Sequence, residues 1–306
     1  MKLKFYWKII KRTVSKFIDD NVFTQAAALA YYTTLSLAPM LLVIIFTATQ
    51  FYSRAEIEAL LYGQIGELLG QDAAMEISKS LDNFEVFSPS IWATVSGIGV
   101  LLFTSTTVFI TMQDALNKIF KVKPKPKGMG ILKLVKDRVL SFSILVGIAF
   151  IMLVSLTVNA VISALSTELE SLIGGISMLL TKVTSLVLPL VVITLLFAMI
   201  FKVLPDARVQ WRDTWVGAGV TAVLFSIGRY FIGIYIKNGN VGGLYDTAGS
   251  IMIVMVWVFY ASIIVFFGAV FTYVFADEMN TTIKPSDYAV RVEQKEIITE
   301  KGKQTK

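Results

Sequence analysis

Residues Ser250 to Phe275 read SIMIVMVWVFYASIIVFFGAVFTYVF, a run without a single charged side chain. A hydrocarbon layer about 30 Å thick is crossed by roughly 20 apolar residues in a helix. Lipid offers the backbone no hydrogen bonds, so a run of this kind must satisfy its own amides as a helix. Five further segments pass the same test: Ala27 to Phe51, Ile91 to Met112, Val139 to Leu165, Ser177 to Leu204 and Thr214 to Ile236. The sequence therefore predicts an all-α integral membrane protein with about six transmembrane helices, occupying residues 27–276. An amphipathic arm over 1–26 and a polar tail over 277–306, expected to be disordered, complete the organisation.

Composition agrees with lipid as the solvent, since 55% of the 306 residues are apolar and 16% charged. The 28 Lys and Arg outnumber the 22 Asp and Glu, giving a net charge of +6. That excess lies between hydrophobic spans, where it orients the chain and calls for no nucleic-acid partner. Histidine and cysteine are absent, which excludes thiolate nucleophiles, disulfides, His-ligated zinc and imidazole bases. No metal or cofactor is expected. A cleavable signal peptide is not expected either, because the arm lacks a compact apolar core ending in a small-residue cleavage site.

Basic residues set the orientation. The arm carries Lys2, Lys4, Lys8, Lys11, Arg12 and Lys16, and the connection after the second span carries a cluster running from Lys118 to Arg138. Lys202 at the end of the fourth span and Arg208 and Arg212 after it continue the series, and a further group lies in the tail. The opposite connection from Arg54 to Ser90 is acidic. The positive-inside rule then places both termini in the cytoplasm. In the arm, Phe5 to Asp20 sets Trp7, Ile10, Val14 and Phe17 on one helical face with lysines opposite, the pattern of a helix lying in the membrane interface. The acidic connection has apolar residues at helical spacing (Ile57, Leu60, Leu61, Ile65), predicting short amphipathic helices in the first outer loop.

Polar residues within the spans are the candidate site. Thr104, Thr107, Thr111, Asp114 and Lys118 recur at steps of three and four and so share a helical face, with Gln113 and Asn117 beside it. This face is either the wall of a cavity open to the cytoplasm, with Asp114 as its acid, or an Asp114 and Lys118 pair at the headgroups below back-bonded threonines. The first span runs from small residues through Tyr31, Tyr32, Thr33, Thr34 and Ser36 to Pro39. Pro39 frees the carbonyl of Leu35, which Thr34 or Ser36 is placed to help satisfy; the segment is a hinge lining a pathway or a packing surface with a fixed kink. Arg229 lies in the outer half of the fifth span. A charge at that depth is expected to face the bundle, lining a path for an anionic substrate or pairing with Asp246. Lys182 reads as a residue that snorkels to the surface. The glycine-rich connection around Tyr245 reads as a tight turn or an outer gate and lacks phosphate-loop spacing.

Several short markers resemble the YihY/BrkB family of bacterial inner-membrane proteins, which includes virulence factor BrkB and was formerly mislabelled ribonuclease BN. They are Ala28-Leu29-Ala30-Tyr31 with Ser36-Leu37-Ala38-Pro39, Ala115-Leu116-Asn117 with Ile119-Phe120, Val203-Leu204-Pro205-Asp206, Gly217-Ala218, and Trp257-Val258-Phe259-Tyr260 before Gly268-Ala269. The family commonly continues Gly-Ala with glutamate where this chain has Val270, and reads Tyr-Gly where this chain has Tyr245-Asp246. The resemblance implies a six-helix protein of the bacterial inner membrane tied to envelope integrity and suspected of transport. Polar stripes, a kinked span and an intramembrane arginine together predict a transporter or exporter of a lipid or other anionic or amphipathic envelope component. Membrane lipids are the expected partners, and no oligomeric state is assigned. A non-transporting membrane scaffold is the alternative. A ribonuclease is a poor fit, because the chain lacks histidine, cysteine and clustered acids.

Overall fold

A computed structural model describes residues 2–48, 53, 56, 107–125, 176–238 and 249–293. Thr104 and Tyr245, the expected span 139–165 and nearly all of the first outer loop lie outside these residues. At the start of that loop, Ser53 Oγ and the Ser53 N–H both donate to Glu56 Oε2, at 2.7 and 2.8 Å.

The described chain is mainly helical. Helix α1 covers Lys2–Asp19, α2 Val22–Ala48, α3 residues 107–119, α4 Ile176–Val203, α5 Trp211–Asn238 and α6 Gly249–Glu278. Helices α2, α4, α5 and α6 hold 27, 28, 28 and 30 residues. At 1.5 Å per residue they are about 40–45 Å long, longer than a hydrocarbon layer is thick. Within α6, Val254–Glu278 is long and apolar enough to cross a membrane. Where helices of 91–112 and 250–275 are expected, α3 runs on to residue 119 and α6 to Glu278. Their polar last turns are held by protein contacts, which an apolar window cannot register.

Helix α6 is the hub, packing against α1, α2 and α5, while α4 packs on α5. The crossing of α5 and α6 rests on two reciprocal small-residue contacts. A Cβ on Gly217 would overlap Thr272, and one on Gly268 would overlap Thr221. Both threonines turn their hydroxyls back to their own helix, Thr221 Oγ1 to Gly217 O at 2.6 Å and Thr272 Oγ1 to Gly268 O at 2.7 Å. The hydroxyl edge of each threonine, its donor already spent on its own helix, is what sits in the neighbouring glycine notch, so the two backbones approach closely as helix pairs in lipid do. Val270, at the position where the resembled family has glutamate, is fully buried in the apolar core.

As far as residue 293, the tail departs from the expectation of disorder beyond Asn280. Strand β1 (Val122–Pro124) pairs antiparallel with β4 (Ala289–Arg291), and β2 (Ala207–Arg208) with β3 (Lys284–Pro285). These ladders sit at one end of the bundle beside α1. Polar composition suggested a solvated chain, but the backbone donors of the tail find fixed acceptors: Ser286 N–H reaches Asp206 O at 3.0 Å and Val292 N–H reaches Lys121 O at 2.9 Å.

Helix α1 forms as expected, and a second face of it packs on the bundle. Ile9 (1% exposed), Thr13 and Phe17 are buried against the bundle, while Trp7 (69% exposed), Ile10 and Val14 point outward. The helix has two apolar stripes, and the packing stripe is the less conspicuous one. Its basic edge is anchored to the end of α6: Lys8 Nζ donates to Glu278 Oε2 at 2.9 Å, and Arg12 forks to Asp277 Oδ2 at 2.7 Å and to Glu278 Oε1. Those contacts hold the Glu278 carboxyl below its usual range, the Lys8 bond first and the Arg12 bond second.

Candidate functional site

At the ladder end, α1, α3, β1 and α6 enclose an open groove of about 1460 Å³. Arg12 and Lys16 line it from α1, Asp114, Asn117 and Lys118 from α3, Lys121, Lys123 and Lys125 from β1 and the residues on either side of it, and Tyr273 and Asp277 from α6. Asp19 and Asp20 complete the acidic side. Six cationic side chains thus face four carboxylates. Some of this charge is neutralised within the wall, since Arg12 holds Asp277 and Lys16 Nζ lies 2.5 Å from Asp20 Oδ2. Lys16 is largely buried, and loss of hydration lowers its ammonium from the usual lysine range despite Asp20. Its Nζ stands 4.5 Å from the centre of the Tyr273 ring, and that of Lys121 stands 5.8 Å from the same ring.

Beneath the groove lies a buried carboxylate that the sequence reading missed. Asp206 (1% exposed) follows the turn that ends α4. It accepts from Asn117 Nδ2 at 2.9 Å and Gln113 Nε2 at 3.2 Å, while its own N–H donates to Asn117 Oδ1 at 2.7 Å. Gln113 and Asn117 stand one turn apart on α3, so a single helical face grips both the side chain and the backbone of residue 206. The available signal was the pair of amides at i and i+4, together with an acid straight after Leu204-Pro205. A second buried carboxylate, Asp213 in the first turn of α5, accepts from Thr281 Oγ1 at 2.6 Å. Its other oxygen has no hydrogen bond, with Arg212 Nε 3.7 Å away. Among the described residues no group of three acids is placed to hold a metal ion.

The expected site residues separate into distinct places. Asp114 and Lys118 are exposed on the groove wall, and Thr107 and Thr111 are half-buried further along α3. Asn117 belongs chiefly to the buried clamp on Asp206. Tyr31 is exposed on α2, while Ser36 is buried and donates to Thr33 O at 2.7 Å. Thr34 Oγ1 donates to Ala30 O at 2.8 Å, so neither hydroxyl serves the carbonyl that Pro39 frees. Helix α2 continues through Pro39 to Ala48. Arg229 is exposed between the exposed Ile227 and Tyr230 rather than turned into the bundle. The residues that converge on the groove come from α1, α3 and α6, and Arg229 is not among them.

Long apolar helices locked by small-residue crossings, with basic side chains and exposed Trp7, Trp211 and Trp215 gathered at one end, define an α-helical membrane protein. The chain belongs to the virulence factor BrkB family, whose family model matches residues 13–292. Its relatives include the UPF0761 membrane proteins of Delftia acidovorans (25% identical, covering 88% of this chain and 62% of the relative) and Rhodospirillum centenum (28%, covering 86% and 56%). A shorter one from Psychromonas ingrahamii is 27% identical, with 82% of both chains covered. The chain thus spans less than two thirds of the length of several of the curated relatives it matches. No solved structure matches it.

Proposed function

We propose that this chain crosses the bacterial inner membrane six times with both termini in the cytoplasm, and that it takes up an anionic or amphipathic envelope component at the groove for transport. The observation that carries this reading is the groove itself. Clustered cations from α1, the end of α3 and β1 with its flanking residues open beside the ends of apolar helices, where a headgroup would be held with its acyl chains still in lipid. Trp7, Trp211 and Trp215, exposed at that end, are the residues expected at headgroup level. From the groove, Asp114, Thr111 and Thr107 would continue the polar route along α3, with Ser36 and Tyr31 on α2; Thr104 and Tyr245, outside the described residues, are counted with it on sequence alone. Pro39 would supply the give of a hinge.

The test is reconstitution into liposomes carrying labelled anionic lipid. Wild-type protein is expected to accelerate movement between leaflets, and Asp114→Asn and Thr111→Val to slow it several-fold. If wild type and variants both match protein-free liposomes, transport is refuted. Recovery of one stoichiometric crosslinked partner in cells would then favour the scaffold.

A further inference from the structure

The charges on the groove wall are not evenly compensated. Asp20 takes one of the three donors of Lys16, and no ion pair joins Lys121 to a carboxylate among the described residues. The two ammonium groups face one aromatic ring and repel each other, which further lowers the Lys16 ammonium. Proximity of like charges without a full counter-charge is unfavourable unless an anion completes it.

The backbone at Lys121 adds a separate indication. Among the described non-glycine residues, three positions past helix ends take positive φ: Asn21 at 53°, Lys121 at 55° and Asn280 at 55°. Asparagine enters this region at low cost, and glycine at none; a lysine there is uncommon and needs its surroundings to hold it. The conformation is fixed on both sides, by Lys121 N–H to Lys118 O at 3.2 Å and by Val292 N–H to Lys121 O at 2.9 Å. The tail thus holds the residue that brings its ammonium over Tyr273.

We infer that Lys16, Lys121 and the ring of Tyr273 form a seat for a phosphate-type oxyanion in the groove. This deepens the transport reading and rests on it for the seat's role, though binding itself requires no transport. The lysine N–H groups donate to the anion's oxygens, and the ring holds the two cations in place. The anion is either a lipid phosphodiester entering from the bilayer or a soluble phosphate.

The experiment uses the full chain in phosphatidylcholine nanodiscs, titrated calorimetrically with inorganic pyrophosphate. Wild type is expected to bind, and the Lys16→Gln, Lys121→Gln double variant to bind at least tenfold more weakly. Lys4→Gln, Lys11→Gln, which removes equal charge elsewhere on α1, should bind as wild type does. Lys121→Gly guards against misfolding: it relieves the backbone, so it should melt no lower than wild type and still lose at least fivefold in binding. Equal binding by wild type and the double variant, an equal loss in the Lys4/Lys11 control, or wild-type affinity in Lys121→Gly would overturn the seat. Competition by phosphatidylglycerol in the disc upholds it with a lipid source, and pyrophosphate binding without such competition upholds it with a soluble one. If wild type binds pyrophosphate through these lysines but moves no lipid in liposomes, the seat stands and the transport reading falls. If lipid moves while the double variant binds as wild type, the reverse holds.

Discussion

Asp206 shows how a buried carboxylate is held by amides, with no ion pair among the described residues. Two side-chain amides supply its donors, and removing one leaves a carboxylate with lost hydration and nothing in exchange. Asn117→Leu should therefore destabilise the protein by about 2–4 kcal/mol, measured as the shift in thermal or denaturant unfolding in detergent. Leu35→Ala, on the exposed side of α2, should change it little. Glu278 yields a prediction with a sign. Its folded-state acidity is stronger than that of the unfolded carboxyl, so its contribution is complete above the unfolded value of about 4.3 and disappears as pH falls through the lower folded value. Hydrogen exchange in α1, taken relative to the intrinsic exchange rate at each pH, should thus be flat from neutral pH down to about 5 and rise under stronger acid. Glu278→Gln should raise it at neutral pH and flatten the acid limb. Neither site was legible in the sequence, because Asn117 and Asp206 are 89 positions apart and Arg12 and Asp277 are 265 apart. Local periodicity reports which face of a helix is polar, not what grips it.

The helices themselves were far more legible. In lipid, an apolar run of sufficient length has one available conformation, so composition alone locates α2, α4, α5 and α6. Composition is silent about which stripe of an amphipathic helix docks, and for α1 the more conspicuous stripe of Trp7, Ile10 and Val14 turned out to face outward. Strands of two or three residues fall below any periodic signal, which is why both ladders went unseen. The α5–α6 crossing offers a contrast within one element. Gly217→Ala must displace Thr272 and should cost about 1–3 kcal/mol, whereas Gly219→Ala meets nothing within 4 Å and should be neutral or stabilise by up to about 1 kcal/mol. Unfolding of the two variants side by side checks this. A larger loss at Gly219 than at Gly217 would contradict the crossing.

For the molecule as a whole, charge asymmetry and architecture point the same way, since α1, the basic groove and the tail strands share one end. Alkaline phosphatase fused after residue 293 should be inactive, and a fluorescent protein fused at the same point should glow, as a cytoplasmic terminus requires. Active phosphatase there would reverse the proposed orientation. The candidate site was half legible at this scale. Asp114 and Lys118 do lie on the groove, but its other wall comes from α1 and α6, at opposite extremes of the chain.

The ladders also have a bearing on biogenesis. Residues 122–124 and 207–208 leave the ribosome well before residues 284–291, with which they pair. During synthesis, β1 and β2 therefore wait with unpaired edges, and Asp206 lacks the Ser286 contact at its carbonyl. The platform formed by these ladders closes only after residues 284–291 have been made, so its closure acts as a molecular receipt for the segments that precede them. A chain stopped after Glu278 should retain its helices yet be cleared by membrane proteases faster than the full chain. Pulse-chase measurement of the two half-lives provides the check, and equal half-lives would show that the platform contributes nothing to surveillance.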